Sequence, residues 1–320
     1  MSRGPSVTNA LIAVYKPVGI TSFDVVSRVR RAVGEKRVGH AGTLDPLASG
    51  VMIVGIGQAT KLLGLLTLDR KGYRARVEFG SATNTDDAEG EVIATAEVPE
   101  RLGDPAFALE AVCGLVGECD QVPPIYSAIS INGKRAYALA REGKSVELSS
   151  RHVTIHNAKL CGMSGGADGE PLVWDIDLDV SKGTYVRSIA RDLGESLGTR
   201  AHLCGLERTF SGCVRLEDCV SLDDLAEKGT SLVAERRLDP VACLGLPARE
   251  ISVDEVVDVS CGRKIALGCV TCADGTVRPP ASDERVSLVF DGGLVGVWQR
   301  RGAKLACETN FPQAIDGVCR

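Results

Sequence analysis

The chain has 320 residues, 44% of them apolar, with a formal net charge of −5. That length supplies a large core and a second, smaller domain. The longest apolar runs, residues 10–15 and 51–57, are too short to cross a bilayer, and "MSRGPSVTNA" has no continuous apolar stretch of the kind a signal peptide needs. These features predict a soluble, cytoplasmic protein. The twelve cysteines are scattered through the chain; without an export signal they read as reduced, mostly buried thiols. Cys269 and Cys272 form one CxxC, with no second pair at zinc spacing and no histidine nearby. Two ordinary thiols are a better reading there than a metal site.

The net charge argues weakly against a nucleic-acid partner, but its distribution does not. Residues 1–75 carry a net +7 and residues 76–320 a net −12. A second basic stretch, residues 180–215, holds 6 Lys/Arg against 3 Asp/Glu. An acidic protein with localised basic zones can bind a polyanion through those zones, although a solvated basic helix face explains such charge equally well.

In chain order, "YKPVGITSFDVVSRVRRAVGEKR" predicts a turn and then a helix capped by Thr21 or Ser22. Val25, Val26, Val29 and Val33 form its apolar face, Arg28, Arg30 and Arg31 lie mostly off that face, and Gly34 stops it. The loop "GHAGTLDPLASGV" follows, and "VMIVGIG" reads as a buried strand. Asp45 is thereby placed on a loop entering the core. In "YRARVEF", residues 73–79, Tyr73, Ala75, Val77 and Phe79 share one face, and Arg74, Arg76 and Glu78 the other. "GSATNTDDAEGEV" is a turn-rich loop and "AFALEAVCGLVGE" a helix. "QVPPIYSAIS" is an extended, proline-stiffened segment, and "KRAYALAREG" a short helix. "LVWDIDLDV", residues 172–180, alternates again, with Asp175, Asp177 and Asp179 on its polar side. After an "SKGT" turn, "YVRSIARDLGESLG" has helical spacing and puts Arg187 in the first turn. From about residue 245 short strand-like pieces alternate with glycine-rich turns, a small and largely β appendage.

Three residues then converge. Asp45 is a loop carboxylate beside buried strands, and Tyr73 is an aromatic ring on a core-facing side. Arg187 is a cation at a helix N-terminus, where the helix dipole disfavours positive charge. Such an arginine requires a compensating anion. Asp45 is one candidate, and a bidentate pair would hold it ionised and oriented. Taken singly, each residue reads as structural: a turn aspartate, a core tyrosine, a surface arginine.

The stretches "KPVGITSFDVV", "GHAGTLDPLASGVMIVGIGQATK", "KGYRARVEFG", "TNTDDAEG", "QVPPIYSAISINGKRAYALAREG" and "SKGTYVRSIARDLG" resemble, in order, the motifs of the bacterial tRNA pseudouridine synthase B family. The resemblance covers residues 15–197, and the remainder is similar to that family's small RNA-binding domain. It implies an α+β fold: a mixed α/β catalytic domain around a largely antiparallel sheet, residues 1–245, and a mostly β, PUA-like C-terminal domain, residues 246–320. It implies isomerisation of the T-loop uridine of tRNA to pseudouridine after the base is flipped out. No metal or other cofactor takes part, and a monomer acts without an obligatory protein partner or a membrane.

By the same resemblance Asp45 is the catalytic aspartate. It adds to the base, attacks C1′ of the ribose or takes a ribose proton, routes that are covalent in the first two cases and acid–base in the third. Tyr73 stacks on the flipped uracil, Arg187 pairs with Asp45, and Tyr185 lines the pocket. His40 touches the RNA near the flipped nucleotide, Lys16 supports the loop or the RNA, and Leu206 packs in the pocket. From the residues alone, His40 reads as a loop-backbone partner, Lys16 as a solvated turn residue, and Arg191 as a phosphate contact or a partner of Glu195, its i+4 neighbour. Tyr126 reads equally as packing or as an RNA contact. The competing readings are a non-catalytic RNA-binding or chaperone protein and a guide-RNA-dependent relative with the same core. The opening motif and compact length favour the stand-alone enzyme. A phosphate loop at "GIGQATK" fails on spacing.

Overall fold

The cap expected at the first helix is present in full in the computed structural model, which describes residues 5–66, 70–127, 130–131, 134–135, 148–166 and 169–319. The Thr21 hydroxyl accepts from the Asp24 N–H, and the Asp24 carboxylate accepts in return from the Thr21 N–H at 2.8 Å. Two of the donors that a helix start leaves without an intrahelical partner are thereby satisfied. Helix Ser22–Val33 buries Val25, Val26 and Val29, and Gly34, at φ +66°, ends it.

This helix belongs to a compact unit made of residues 1–45, 50–68 and 211–320; residues 46–49 and 69–210 form the other unit. In the first, strand Ala10–Lys16 runs antiparallel to Ala48–Ile56, which also pairs antiparallel with Val38–Ala41. Every residue of Ala48–Ile56 is buried, so the strand reads as a continuous apolar run with no alternation. Ala10–Lys16 pairs in addition with Cys219–Val220 and Arg237–Leu238.

The C-terminal segment of the same unit is a seven-stranded sheet, as the short strand-like pieces predicted. Its order is Ile265–Ala266, Lys304–Asp316, Gly293–Arg301, Arg285–Phe290, Ala248–Glu250, Val270–Thr271, Val277–Arg278. Alternation gives the sheet two apolar faces. Val286, Leu288 and Trp298 form a core with Ile251 and with Val259 of helix Val253–Ser260. Leu294, Val297, Phe311 and Ile315 join Leu11, Val51, Ile53 and Leu62 in another. The small sheet therefore completes the core of the N-terminal strands. The chain ends are also bound together: the Gln313 side chain bonds both the N–H and the carbonyl of Ser6, at 2.8 and 2.9 Å, and the Asp316 N–H donates to the Asn9 carbonyl.

The second unit contains the strand order Ala201–Ser211, Lys71–Phe79, Val173–Val180, Arg151–Ser164, Gly117–Gln121, antiparallel from Lys71–Phe79 onward. The alternation expected at 73–79 and 172–180 holds: Tyr73, Ala75, Val77, Phe79, Trp174, Ile176 and Leu178 are buried. Trp174 donates its indole N–H to the Leu102 carbonyl at 3.2 Å, and its ring meets Phe79 edge-on, centroids 4.6 Å apart.

Three expectations are corrected or fall elsewhere. The helix expected through residue 118 is Pro105–Cys113, because Gly114 caps it and Gly117, at φ +137°, opens strand Gly117–Gln121 in a conformation glycine tolerates best. Of the "KRAYALAREG" helix, Lys134–Arg135 lie in a short strand and residues 136–143 lie outside the described residues. The thiols are not mostly buried: Cys243 is, and eight of the twelve are exposed. Cys119 sits on a sheet edge whose side chains mostly face water, and strand position overrides the usual preference of cysteine for the interior. Among the described residues, no helix is long and apolar enough to cross a membrane.

Candidate active site

The Asp45 loop is fixed immediately before its carboxylate. Ser22, the first residue of the capped helix, accepts the Leu44 N–H at 2.9 Å and donates its hydroxyl to the Leu44 carbonyl at 2.8 Å. Leu44 itself is buried. One buried hydroxyl thus satisfies both backbone groups of the residue preceding Asp45, groups that are costly to bury unpaired. Asp45 is half-buried. The loop enters from Val38–Ala41 and leaves into Ala48–Ile56, so strand pairing holds both ends: His40 lies opposite Val54, and Lys16 opposite Gly50.

Lys16 is fully buried, and its ammonium donates to the Pro17 carbonyl at 3.0 Å. The reading of Lys16 as a solvated turn residue is therefore wrong; strand pairing draws it inside. His40 is half-buried and sits on a strand.

Tyr73, Tyr185, Arg187 and Leu206 belong to the other unit, while Lys16, His40 and Asp45 belong to the first. Tyr73 is buried on Lys71–Phe79, opposite Leu178. Beside it, a Cβ on Gly72 would come within 2.1 Å of the Phe210 ring, so a side chain there is excluded. Within the second unit, Ser49 Oγ comes within 3.5 Å of the Leu206 carbonyl.

Tyr185 occupies the N-cap of helix Val186–Ser196 without a capping side chain of its own. The buried Gln121 side chain substitutes: it accepts the Tyr185 N–H at 2.8 Å and donates to the Tyr185 carbonyl at 3.1 Å. Three more bonds tie residues 122–126 to this helix. Ser188 Oγ and Arg191 Nη2 each donate to the Val122 carbonyl at 2.9 Å, and Arg187 Nη2 donates to the Tyr126 carbonyl at 3.0 Å.

Arg187 is buried, as a cation in a first helical turn is only when compensated. Its Nη1 donates to the Thr85 carbonyl at 3.0 Å and lies 3.3 Å from the Asp87 carboxylate, with both side chains nearly sealed from solvent (6% and 4% exposed). Asp87 is itself positioned: its carboxylate accepts from the Thr85 hydroxyl at 2.6 Å and the Glu89 N–H at 3.1 Å. Asp86, at φ +60°, turns the chain so that its own carboxylate faces away to Arg191 at 2.9 Å. Burial pushes the Asp86 carboxyl above the usual carboxylate range even with Arg191 beside it. Arg191 is shared by Asp86 and Asp192, and Glu195 pairs with Arg200 instead. Of the two readings of Arg191, the i+4 pairing with Glu195 is replaced by Asp86, the neighbouring Asp192 and the Val122 carbonyl.

The requirement for an anion at Arg187 was readable from its position in the helix, and the "TNTDDAEG" stretch holds it. Nothing in the sequence separates the inward Asp87 from the Asp86 beside it. Gln121 and Ser22 likewise carry no signal of their own. Among the described residues, no three His, Cys, Asp or Glu side chains are grouped to hold a metal ion.

Residues 30–186 match the family described as TruB family pseudouridylate synthase (N terminal domain), and residues 187–241 match the tRNA pseudouridylate synthase B C-terminal domain. The tRNA pseudouridine synthase B of Mycobacteroides abscessus is 45% identical over 285 residues, covering 88% of this chain and 92% of that protein. That of Mycobacterium ulcerans is 42% identical over 297 residues, covering 92% and 95%. Among solved structures, a Cbf5-Nop10-Gar1 complex aligns with a TM-score of 0.67 at 20% identity, covering 97% of this chain and 85% of the matched one. An H/ACA RNP bound to a substrate RNA containing 2′-deoxyuridine aligns with a TM-score of 0.65, also at 20% identity, covering 94% and 84%. At that identity the likeness establishes the pseudouridine synthase fold, and function rests on the closer relatives.

Proposed function

Because the chain belongs to the TruB family of pseudouridylate synthases and is a tRNA-modifying isomerase, we propose that Asp45 is its catalytic carboxylate and that its target is the T-loop uridine. The observation that carries this reading is the placement of Asp45. It is a half-buried carboxylate one residue past a doubly bonded, buried anchor, on a loop whose two ends are fixed by strand pairing. A reaction that needs one well-oriented carboxylate is served by that rigidity.

The isomerisation breaks the N1–C1′ bond and forms C5–C1′. The C5 proton leaves and N1 gains one, so nothing is oxidised or reduced. Each of the three routes open to the aspartate uses an ionised, oriented carboxylate. We assign Arg187 as the positive charge that keeps Asp45 ionised in the RNA complex, with Asp87 and the Thr85 and Tyr126 carbonyls holding the guanidinium. Tyr73 offers its ring to the extruded uracil, which recovers part of an unstacking cost of about a few kcal/mol. Tyr185 and Leu206 line the pocket, His40 contacts the RNA, and Lys16, being buried, supports the Asp45 loop. The enzyme acts as a monomer on bare tRNA.

The test is tritium release from tRNA labelled at uridine C5, with mapping of the modified site. Wild type is expected to release tritium at the T-loop uridine. Asp45→Asn is expected to abolish release while still binding tRNA. Release by the variant at the wild-type rate would overturn the assignment.

We further propose that residues 1–245 are the catalytic part and that residues 246–320 add tRNA affinity. Truncation is a poor test of this, because it strips Leu294, Val297, Phe311 and Ile315 from the shared core. Each such loss forfeits about 1.5–3 kcal/mol of burial. Substitution of exposed residues on the small sheet is the informative experiment, with KM for tRNA expected to rise and kcat to hold.

A further inference from the structure

The basic residues up to position 76 include two groups in different electrical settings. Arg70, Arg74 and Arg76 are each bonded to an aspartate. Arg30, Arg31 and Lys36 have no carboxylate partner among the described residues. They surround an open groove of about 490 Å³ at the end of helix Ser22–Val33, lined by Ser27, Arg30, Arg31, Gly34, Glu35 and Lys36. The acid on that wall, Glu35, is occupied: its carboxylate accepts the Arg37 N–H at 2.8 Å.

One helix face leads into the groove. Phe23, Ser27, Arg30, Arg31 and Gly34 follow i, i+4, i+7, i+8 and i+11 spacing, opposite the buried Val25, Val26 and Val29. Phe23 is 63% exposed, and the Arg30 guanidinium lies 5.7 Å from its ring centroid. A helix C-terminus attracts cations, but it carries only about half a unit of negative charge, too little to neutralise three. The surplus is available to an external anion.

The same helix holds the catalytic loop at its other end, through Ser22 and Leu44. At about 1.5 Å of rise per residue, its groove-lining positions Ser27 to Gly34 lie about 8–18 Å along the axis from that anchor. This separation suits contacts made within one RNA arm, some nucleotides from the reacting base. Resting on the reading of tRNA as substrate, we propose that this face, with Lys36, binds the phosphodiester backbone of the tRNA outside the flipped uridine. Arg31 and Lys36 meet phosphate oxygens, and Phe23 packs on a sugar or base.

The experiment is filter binding of transcribed tRNA across a salt series, with wild type, the Arg31→Gln/Lys36→Gln double variant and Phe23→Ala. Arg31 and Lys36 are exposed, so thermal unfolding of the double variant is expected to match wild type. Its Kd is expected to weaken several-fold at low salt, and the slope of log Kd against log salt to fall by about 0.7–0.9 for each lost phosphate contact. Phe23→Ala is expected to weaken Kd with the slope unchanged, because stacking releases no counterions. A double variant with wild-type Kd and slope would overturn the proposal, as would a wild type that does not bind tRNA. A wild type that releases no tritium, with the double variant still weakening binding, would sink the catalytic reading and leave this surface standing.

Discussion

The second unit uses the same ion pair in two settings. On the outer face of its sheet, Arg74 and Arg76 meet Asp177 and Asp175 across paired strands at 3.0 and 3.1 Å, with arginine side chains 54% exposed. In its interior, Arg187 meets Asp87 at 3.3 Å with both side chains nearly sealed. The outer pairs are the closer ones, yet distance is a poor guide to consequence. Water screens the outer charges and is ready to solvate either partner if the other is lost. Inside, neither charge has that alternative.

The largest expected effect is therefore at Asp87. Asp87→Asn keeps the shape and removes the charge, and denaturant unfolding should show a loss of about 3–5 kcal/mol, the usual consequence of removing one partner of a buried ion pair. If the loss is under about 1 kcal/mol, the interior pair behaves like the outer ones and the comparison fails. The comparison sharpens with the double variant Arg187→Met/Asp87→Leu. Replacing both charges by apolar groups is commonly neutral for stability, so unfolding should return towards wild type while tritium release, which needs Arg187 beside Asp45, should be lost. That result would show that the pair is kept for the reaction and not for the fold.

On the outer face, Asp177→Asn should change stability by no more than about 1 kcal/mol, and a double-mutant cycle with Arg74→Gln should give a coupling of about 0.2–1 kcal/mol that shrinks in high salt. The smallest effect is one of pH. Arg278 grips Glu284 through both its terminal nitrogens, at 2.6 and 2.7 Å, and holds that carboxyl below its ordinary value of 4.5. The unfolded chain therefore binds the proton more readily, so this stabilisation is complete above the ordinary value and is lost as pH falls through the folded one. Glu284→Gln should narrow the difference in melting temperature between neutral pH and about pH 3.5, and only slightly, because the pair is partly exposed. A difference as wide as that of wild type would remove Glu284 from the acid response.

What the sequence determined by itself was local and periodic. The capped helix at 22–33 and the alternation at 73–79 and 172–180 follow from spacings of 3.6 and 2 residues, and the buried strand read at 51–57 follows from its unbroken apolar run; the structure keeps each of them, the strand as Ala48–Ile56. The family was legible in the motifs, and so was the need for an anion at Arg187. The tertiary structure alone decided which anion meets it within its unit. Asp86 and Asp87 are adjacent and chemically identical, and the turn at φ +60° that sends one to Arg191 and the other to Arg187 depends on strand Ala201–Ser211, where Leu203 bonds the backbone on either side of Asp87. Lys16 went inside for a similar reason, a strand register set by residues more than thirty positions away. Helix and strand periods are written in neighbouring residues. The partner of a buried charge is chosen by chain segments that meet only on folding.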